Sequence, residues 1–316
     1  MRFITRAIGA LFTIPLILSP AAHAEEGGSG HYVPGTAATL IDVPPTDPGL
    51  LLETIYLGFT GSVGARAQLP VGGNITAGLD ATANAVTVAG IYTLEDRILG
   101  AFYSAGVFIP LIDEQVSAQV TGPLGNTTRR SDRATGLGDI TIVPALMAWK
   151  HESYQFSLAL PIYAPTGSYK AGHLANPGLN YWTADPTVSV AYAGPKGFNA
   201  AAFAGVTINS ENPATDYRSG SAVHIEGSVQ QLFPLGKGFI GVGANAFFYA
   251  QITDDSGAGA NLGGFRGRSV GIGPVLDYIV PIGSSTALIE ARWLPEIDTK
   301  NRVKGDFFWV KGVWQF

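Results

Sequence analysis

Residues 240–252 read Ile-Gly-Val-Gly-Ala-Asn-Ala-Phe-Phe-Tyr-Ala-Gln-Ile, and this stretch decides the fold class. Its even positions, Ile240, Val242, Ala244, Ala246, Phe248, Ala250 and Ile252, are all apolar. Its odd positions include Gly241, Gly243, Asn245, Tyr249 and Gln251, which are small or polar. Successive side chains of a strand point to opposite faces, so a period of two gives one apolar face and one polar face. The pattern recurs on both sides. Val223, Ile225, Gly227 and Val229 alternate with His224, Glu226, Ser228 and Gln230. Tyr154, Phe156, Leu158 and Leu160 alternate with Gln155, Ser157 and Ala159, and Ala287, Ile289, Ala291 and Trp293 with Leu288, Glu290 and Arg292. Alternating segments of about ten residues are the signature of transmembrane β-strands.

Soluble β-sandwich strands alternate as well, and three features favour the membrane. Connections alternate in length: short ones at 94–96, 150–153, 194–197, 234–238 and 281–285, long ones at 61–82, 113–135, 164–181, 210–220, 254–267 and 298–304. Outer-membrane barrels have short periplasmic turns and long external loops. Aromatic residues cluster near the short turns (Tyr92, Trp149, Tyr154, Tyr192, Phe198, Phe233, Phe239 and Tyr278), as an interfacial girdle requires. Trp149 and Phe239 fall on the wrong parity, so the girdle is imperfect there or a bulge intervenes. Finally, the chain ends on an amphipathic segment, with Phe308, Val310, Gly312, Trp314 and Phe316 on one face and Lys311 and Gln315 on the other. A terminal Phe in this setting resembles the signal read by the outer-membrane barrel assembly machinery. The expected fold is an all-β, antiparallel transmembrane β-barrel of about 12 strands. They are placed at 50–60, 83–93, 98–110, 137–149, 154–163, 183–193, 198–209, 221–232, 239–252, 269–280, 286–295 and 306–316. The first two alternate weakly, and ten or fourteen strands remain open.

The ends and the composition agree. Arg2 and Arg6, the apolar run 7–19 and Ala22-His23-Ala24 form a secretory signal peptide over residues 1–24. Export to the bacterial outer membrane, with cleavage after Ala24, is expected. Residues 25–49 contain Pro44, Pro45 and Pro48 and read as an irregular segment, a tether or a plug for the barrel 50–316. With no Cys, disulfides, thiolate metal sites and Cys nucleophiles are excluded. The net charge of −5 argues against nucleic acid as a partner. The expected partners are outer-membrane lipid, the assembly machinery and a small aromatic or hydrophobic ligand.

On the lipid face a charge is costly, so parity places Asp139, Asp185, His224, Glu226, Asp277, Glu290, Arg292 and Lys311 in the lumen. Internal ion pairs that brace the barrel and pore lining are both open readings. His224, Glu226 and Ser228 share a face, but two-residue steps of about 7 Å separate His from Ser beyond hydrogen-bond reach. A lipid hydrolase would need its Ser from another strand. No cofactor, metal or nucleotide motif is present in the sequence, and no enzyme activity is expected.

Four segments carry a family resemblance. They are His31-Tyr32-Val33-Pro34-Gly35, Gly136-Leu137-Gly138-Asp139-Ile140, Pro165-Thr166-Gly167-Ser168-Tyr169 with residues 176–182, and residues 208–220 with His224. They resemble the bacterial outer-membrane family named for the meta-pathway of phenol degradation. That resemblance implies an outer-membrane transporter with phenol-like or other hydrophobic cargo, and supplies no catalytic residues. Passive uptake is the expected task, with Tyr181, Trp182 and Tyr217 as an external capture surface.

Overall fold

The computed structural model describes residues 25–316, apart from 66, 123, 124, 265 and 284. The expected signal peptide, residues 1–24, lies outside the described residues.

In hydrocarbon every backbone N–H and C=O must be paired internally, so a spanning sheet has to close. It does so here with sixteen strands in the sequence β1 (Gly49–Ser62), β2 (Gln68–Val71), β3 (Asn74–Ile98), β4 (Ala101–Thr121), β5 (Thr127–Leu137), β6 (Ile140–His151), β7 (Tyr154–Ala159), β8 (Ile162–Ala164), β9 (Thr183–Ala184), β10 (Thr187–Ala193), β11 (Phe198–Asn209), β12 (Ala222–Leu235), β13 (Gly238–Gln251), β14 (Arg268–Ile282), β15 (Ser285–Lys300) and β16 (Lys304–Gln315). Three wall strands are interrupted, so that β5 with β6, β7 with β8 and β9 with β10 each act as one. The breaks fall at Gly138-Asp139, Leu160-Pro161 and Asp185-Pro186, and each Pro lacks the N–H a ladder needs. The small strand β2 lies off the ring and pairs with β3. What remains is a closed antiparallel barrel of 12 strands. β16 closes on β1 from Leu51↔Gln315 to Ser62↔Lys304, and the Phe316 N–H donates to the Leu50 carbonyl at 3.0 Å.

The outward face is apolar. Val88, Leu111, Phe156, Val229, Val242 and Ile289 are exposed, as a lipid-facing band requires. Tyr92, Tyr154, Phe198, Phe233, Phe239 and Trp314 are exposed at the short-turn end. Trp149 reaches this belt because the pairing of β4 with β6 shifts register between Ser104 and Gly106, a bulge that reverses the parity beyond it.

Two expectations are corrected. The first short turn is not at 94–96, because β3 runs on to Ile98 and turns through Leu99 and Gly100, both with positive φ, a hairpin of the primed type. Much of the expected loops 61–82 and 113–135 is strand. There the outward residues Asp80, Gln115, Ser117, Gln119, Arg129 and Arg133 are polar because this part of the sheet stands above the membrane. A polar outward face hides the alternation that marks a lipid-facing strand. The inward face of this extension is apolar: Leu69, Val71, Leu79, Val116, Ala118 and Leu174 form one cluster.

Candidate channel lumen

Residues 25–48 run inside the barrel, from its loop end to the turn end where β1 begins. At the loop end Glu25 pairs with Arg302 at 2.6 Å, and the Arg302 guanidinium lies 4.0 Å from the centre of the Tyr249 ring. Glu26 accepts hydrogen bonds from Asn212 Nδ2 at 2.8 Å and Thr215 Oγ1 at 3.1 Å. Midway, the His31 ring bonds Asp139 Oδ2 at 2.9 Å and Thr183 Oγ1 at 2.7 Å, and stacks on Tyr163. Tyr32 Oη donates to Glu226 Oε1 at 2.9 Å while its ring stacks on His224 at 3.9 Å. The Gly35 N–H donates to Glu226 Oε2 at 2.9 Å. Gly35 has φ 92°, and a Cβ there would lie 2.4 Å from Trp309 Nε1, so no other residue fits without displacement.

Toward the turn end the contacts become ionic. Asp42 pairs with Lys311 and, at 3.3 Å, with Arg292. Arg292 also pairs with Glu290 at 3.1 Å, and Thr39 Oγ1 donates to Glu290 Oε2 at 2.5 Å. Gln155 Nε2 donates to the Pro44 carbonyl at 2.6 Å and Gln315 Nε2 to that of Asp47 at 3.2 Å. Removing one partner of a buried charge pair typically costs about 3–5 kcal/mol, so these contacts hold the segment firmly.

The structure places Asp139, Asp185, His224, Glu226, Asp277, Glu290, Arg292 and Lys311 inside the wall, all buried. Asp139 also accepts the Gly167 and Leu179 N–H groups at 2.8 and 2.6 Å. His224 Nε2 bonds Asp185 at 2.8 Å, and Asp277 accepts from Gln230. Among the described residues Ser228 Oγ has no hydrogen-bond partner, and it does not bond His224.

The expected capture surface does not form from three exposed rings. Trp182 is half exposed, but Tyr181 and Tyr217 are only 2% exposed. Tyr217 Oη donates to Asp255, which also accepts from the Gly220 N–H at 2.7 Å and Gln251 Nε2 at 2.6 Å. The loops fold over the lumen and take these tyrosines with them. Burial pushes the Asp255 carboxyl up to about 6, against the opposing hydrogen bonds from Tyr217, Gly220 and Gln251.

Opposite the charged wall the lumen is apolar. Ile55, Leu57 and Phe59 on β1, Ala83 and Ala85 on β3, and Phe108 and Ile112 on β4 face a cavity of about 490 Å³ between wall and segment, within the ~300–1,000 Å³ usual for small-molecule sites. The sequence reading missed Glu25, Asp42, Glu53, Glu114 and Arg302 inside the barrel. A usable signal existed for Glu53, the single charged residue between Leu50 and Phe59 and on the parity of Leu51 and Ile55.

A family model described as "Putative MetA-pathway of phenol degradation" matches residues 64–312. The chain belongs to this family. No curated protein matches the chain. Among solved structures, the COG4313 outer membrane channel from Pseudomonas putida F1 aligns at 14% identity with a TM-score of 0.63, covering 90% of this chain and all of that one. The β domain of the Bordetella autotransporter BrkA aligns at 13% identity with a TM-score of 0.49, over 85% of this chain and all of that one. The first likeness supports the β-barrel fold of this member of the phenol-degradation family.

Proposed function

We propose that this protein is a passive outer-membrane channel for small hydrophobic compounds, aromatic ones among them. The observation that carries the reading is the apolar wall of β1, β3 and β4 facing a cavity beside the threaded segment. A pore for hydrophilic solutes gains nothing from Ile55, Leu57, Phe108 and Ile112 in its lumen, whereas an apolar molecule moving along them leaves water at each step. The family and the channel neighbour are in keeping with this. Aromatic uptake, cleavage after Ala24 and a role for Phe316 in assembly are parts of the same proposal.

The test is uptake of radiolabelled toluene and phenol by cells with and without the protein, paired with planar-bilayer conductance of the refolded barrel. Faster uptake of either compound together with little ionic current is the expected result. Unchanged uptake of both compounds would overturn the proposal and leave a closed structural barrel as the reading.

A further inference from the structure

Among the carboxylates inside the barrel, Glu53 on β1 stands apart in its partners. Asp42 and Glu226 join the threaded segment to the wall, as does Asp139, and Asp185 bonds His224. Glu114 accepts the Asn176 backbone N–H. Glu53 is 8% exposed, and among the described residues it has neither a hydrogen-bond nor an ion-pair partner. It lines the cavity. A buried carboxylate without a donor is costly, so the group that relieves it has to come from the cavity.

The surrounding charges give the sign of that group. Those that reach Glu53 belong to Lys311, Asp42, Arg292 and Glu290. Asp42 pairs with Lys311 and Arg292, and Arg292 with Glu290, so these four answer one another. Lys311 also donates to the Thr36 carbonyl at 2.7 Å. Glu53 is left without a counter-ion. Farther along, Glu26, Glu114 and Glu296 line the cavity too, and Arg302 is its one Lys or Arg among the described residues. An anion entering this space meets like charge, and a cation meets opposite charge.

The neighbours of Glu53 give the rest of the chemistry. Leu51 and Ile55 flank it on its own strand, and Ile91 on β3 is in register with Leu51. All three line the cavity. A hard metal ion takes about six oxygen ligands, and these side chains offer only carbon. An organic cation suits both surfaces, with its charge on the carboxylate and its hydrocarbon on the aliphatic wall.

Resting on the apolar-cargo reading above, we propose that Glu53 is the counter-ion of a binding site for a small organic ammonium ion with a hydrocarbon body. The ammonium N–H groups donate to the Glu53 carboxylate, which is an acceptor alone when ionised. The body lies against Leu51, Ile55 and Ile91 and leaves water there. A neutral alcohol of the same shape keeps the apolar contact and loses the ion pair, and the corresponding carboxylate is repelled.

Binding of cyclohexylamine, cyclohexanol and cyclohexanecarboxylate to the full mature chain in detergent at pH 8 tests this. The three probes share one ring and differ in charge. Cyclohexylamine should bind about tenfold or more tightly than cyclohexanol, the usual effect of hydrogen bonds to a charged group, with the carboxylate weakest. Glu53→Gln keeps the size and an acceptor and removes the charge. In it the amine should fall to the level of the alcohol, whose own binding is kept. Glu114→Gln alters another carboxylate of the same cavity and should leave the amine preference in place. Heat-modifiable gel mobility reports the folding of each variant. Equal binding of amine and alcohol by the unaltered protein, or an unchanged ratio in folded Glu53→Gln, overturns the site. So does an equal loss in Glu114→Gln, which would assign the preference to the lumen as a whole. Toluene flux into proteoliposomes, measured in parallel, separates this proposal from the reading it rests on. Flux without an amine preference removes only the site at Glu53, and no flux removes the apolar passage itself.

Discussion

The two halves of the lumen wall have the same backbone and opposite chemistry. From β12 through β16 the inward residues include the charged Glu226, Asp277, Glu290, Arg292 and Lys311, and all of these but Asp277, which bonds Gln230, hold the threaded segment. From β1 through β4 they are chiefly Ile55, Leu57, Ala85, Phe108 and Ile112, and the cavity lies against them. A segment full of hydrogen-bonding groups settles on the wall that can satisfy them and leaves the other wall bare. The lumen is thereby divided lengthwise into a half fastened to the segment and an apolar half that lines the cavity.

The comparison breaks most completely if the segment is removed. A chain lacking residues 27–46 should pass steady ionic current in planar bilayers where the intact protein passes almost none. A current-free deletion would show that something other than this segment closes the lumen. Next in size is Asp42→Leu. It takes the carboxylate partner from Lys311, leaves Arg292 with Glu290 alone, and should cost about 3–5 kcal/mol of segment docking. Hydrogen exchange of residues 36–47 should then rise well above that of the barrel strands, and unaltered protection would mean the neutral contacts suffice.

On the bare half, Ile112→Asp puts a carboxylate on the cavity wall between Ala85 of β3 and Gly136 of β5, away from the ion pairs. Toluene uptake should drop several-fold while the segment stays protected. The same uptake as in the unaltered protein would dissociate the apolar wall from the cargo path. The smallest effect concerns the loops that cover both halves. The Asp255 carboxyl is raised to about 6 by burial, so the folded cluster binds a proton more tightly than the unfolded loop. Its stabilisation is complete at low pH and is lost as pH rises through about 6. Cleavage of the 210–220 loop by a protease active across this range should be slower at pH 5 than at pH 7.5, and Asp255→Asn should remove the difference.

Legibility in the sequence followed the surroundings of each strand. Where a strand faces lipid on one side and polar groups on the other, as β12 and β13 do, its limits and faces could be read almost residue by residue. In β1 and β3 both faces are apolar or small, because the lumen face is apolar too, and the weak alternation of 50–60 and 83–93 has this cause. In the extensions of β3, β4 and β5 the outward face meets water, and the stretch looks like loop. Tyr181 and Tyr217 could not be told from exposed rings, since only the folding of the loops over the mouth buries them.

By itself the sequence determined that the chain makes a membrane barrel and, in the cleanly alternating strands such as β12 and β13, which side chains turn inward, because a bilayer admits one polarity on the outside and a strand has one period. Only the tertiary structure decided which inward charges find partners. Asp42 with Lys311, Glu25 with Arg302 and His31 with Asp139 are separated by 269, 277 and 108 residues, and no local pattern records such a meeting. The same closure left Glu53 facing a cavity with Phe108 two strands away. Those pairings arise when the ring of strands closes around the segment, and they settle which half of the lumen is bound and which is bare.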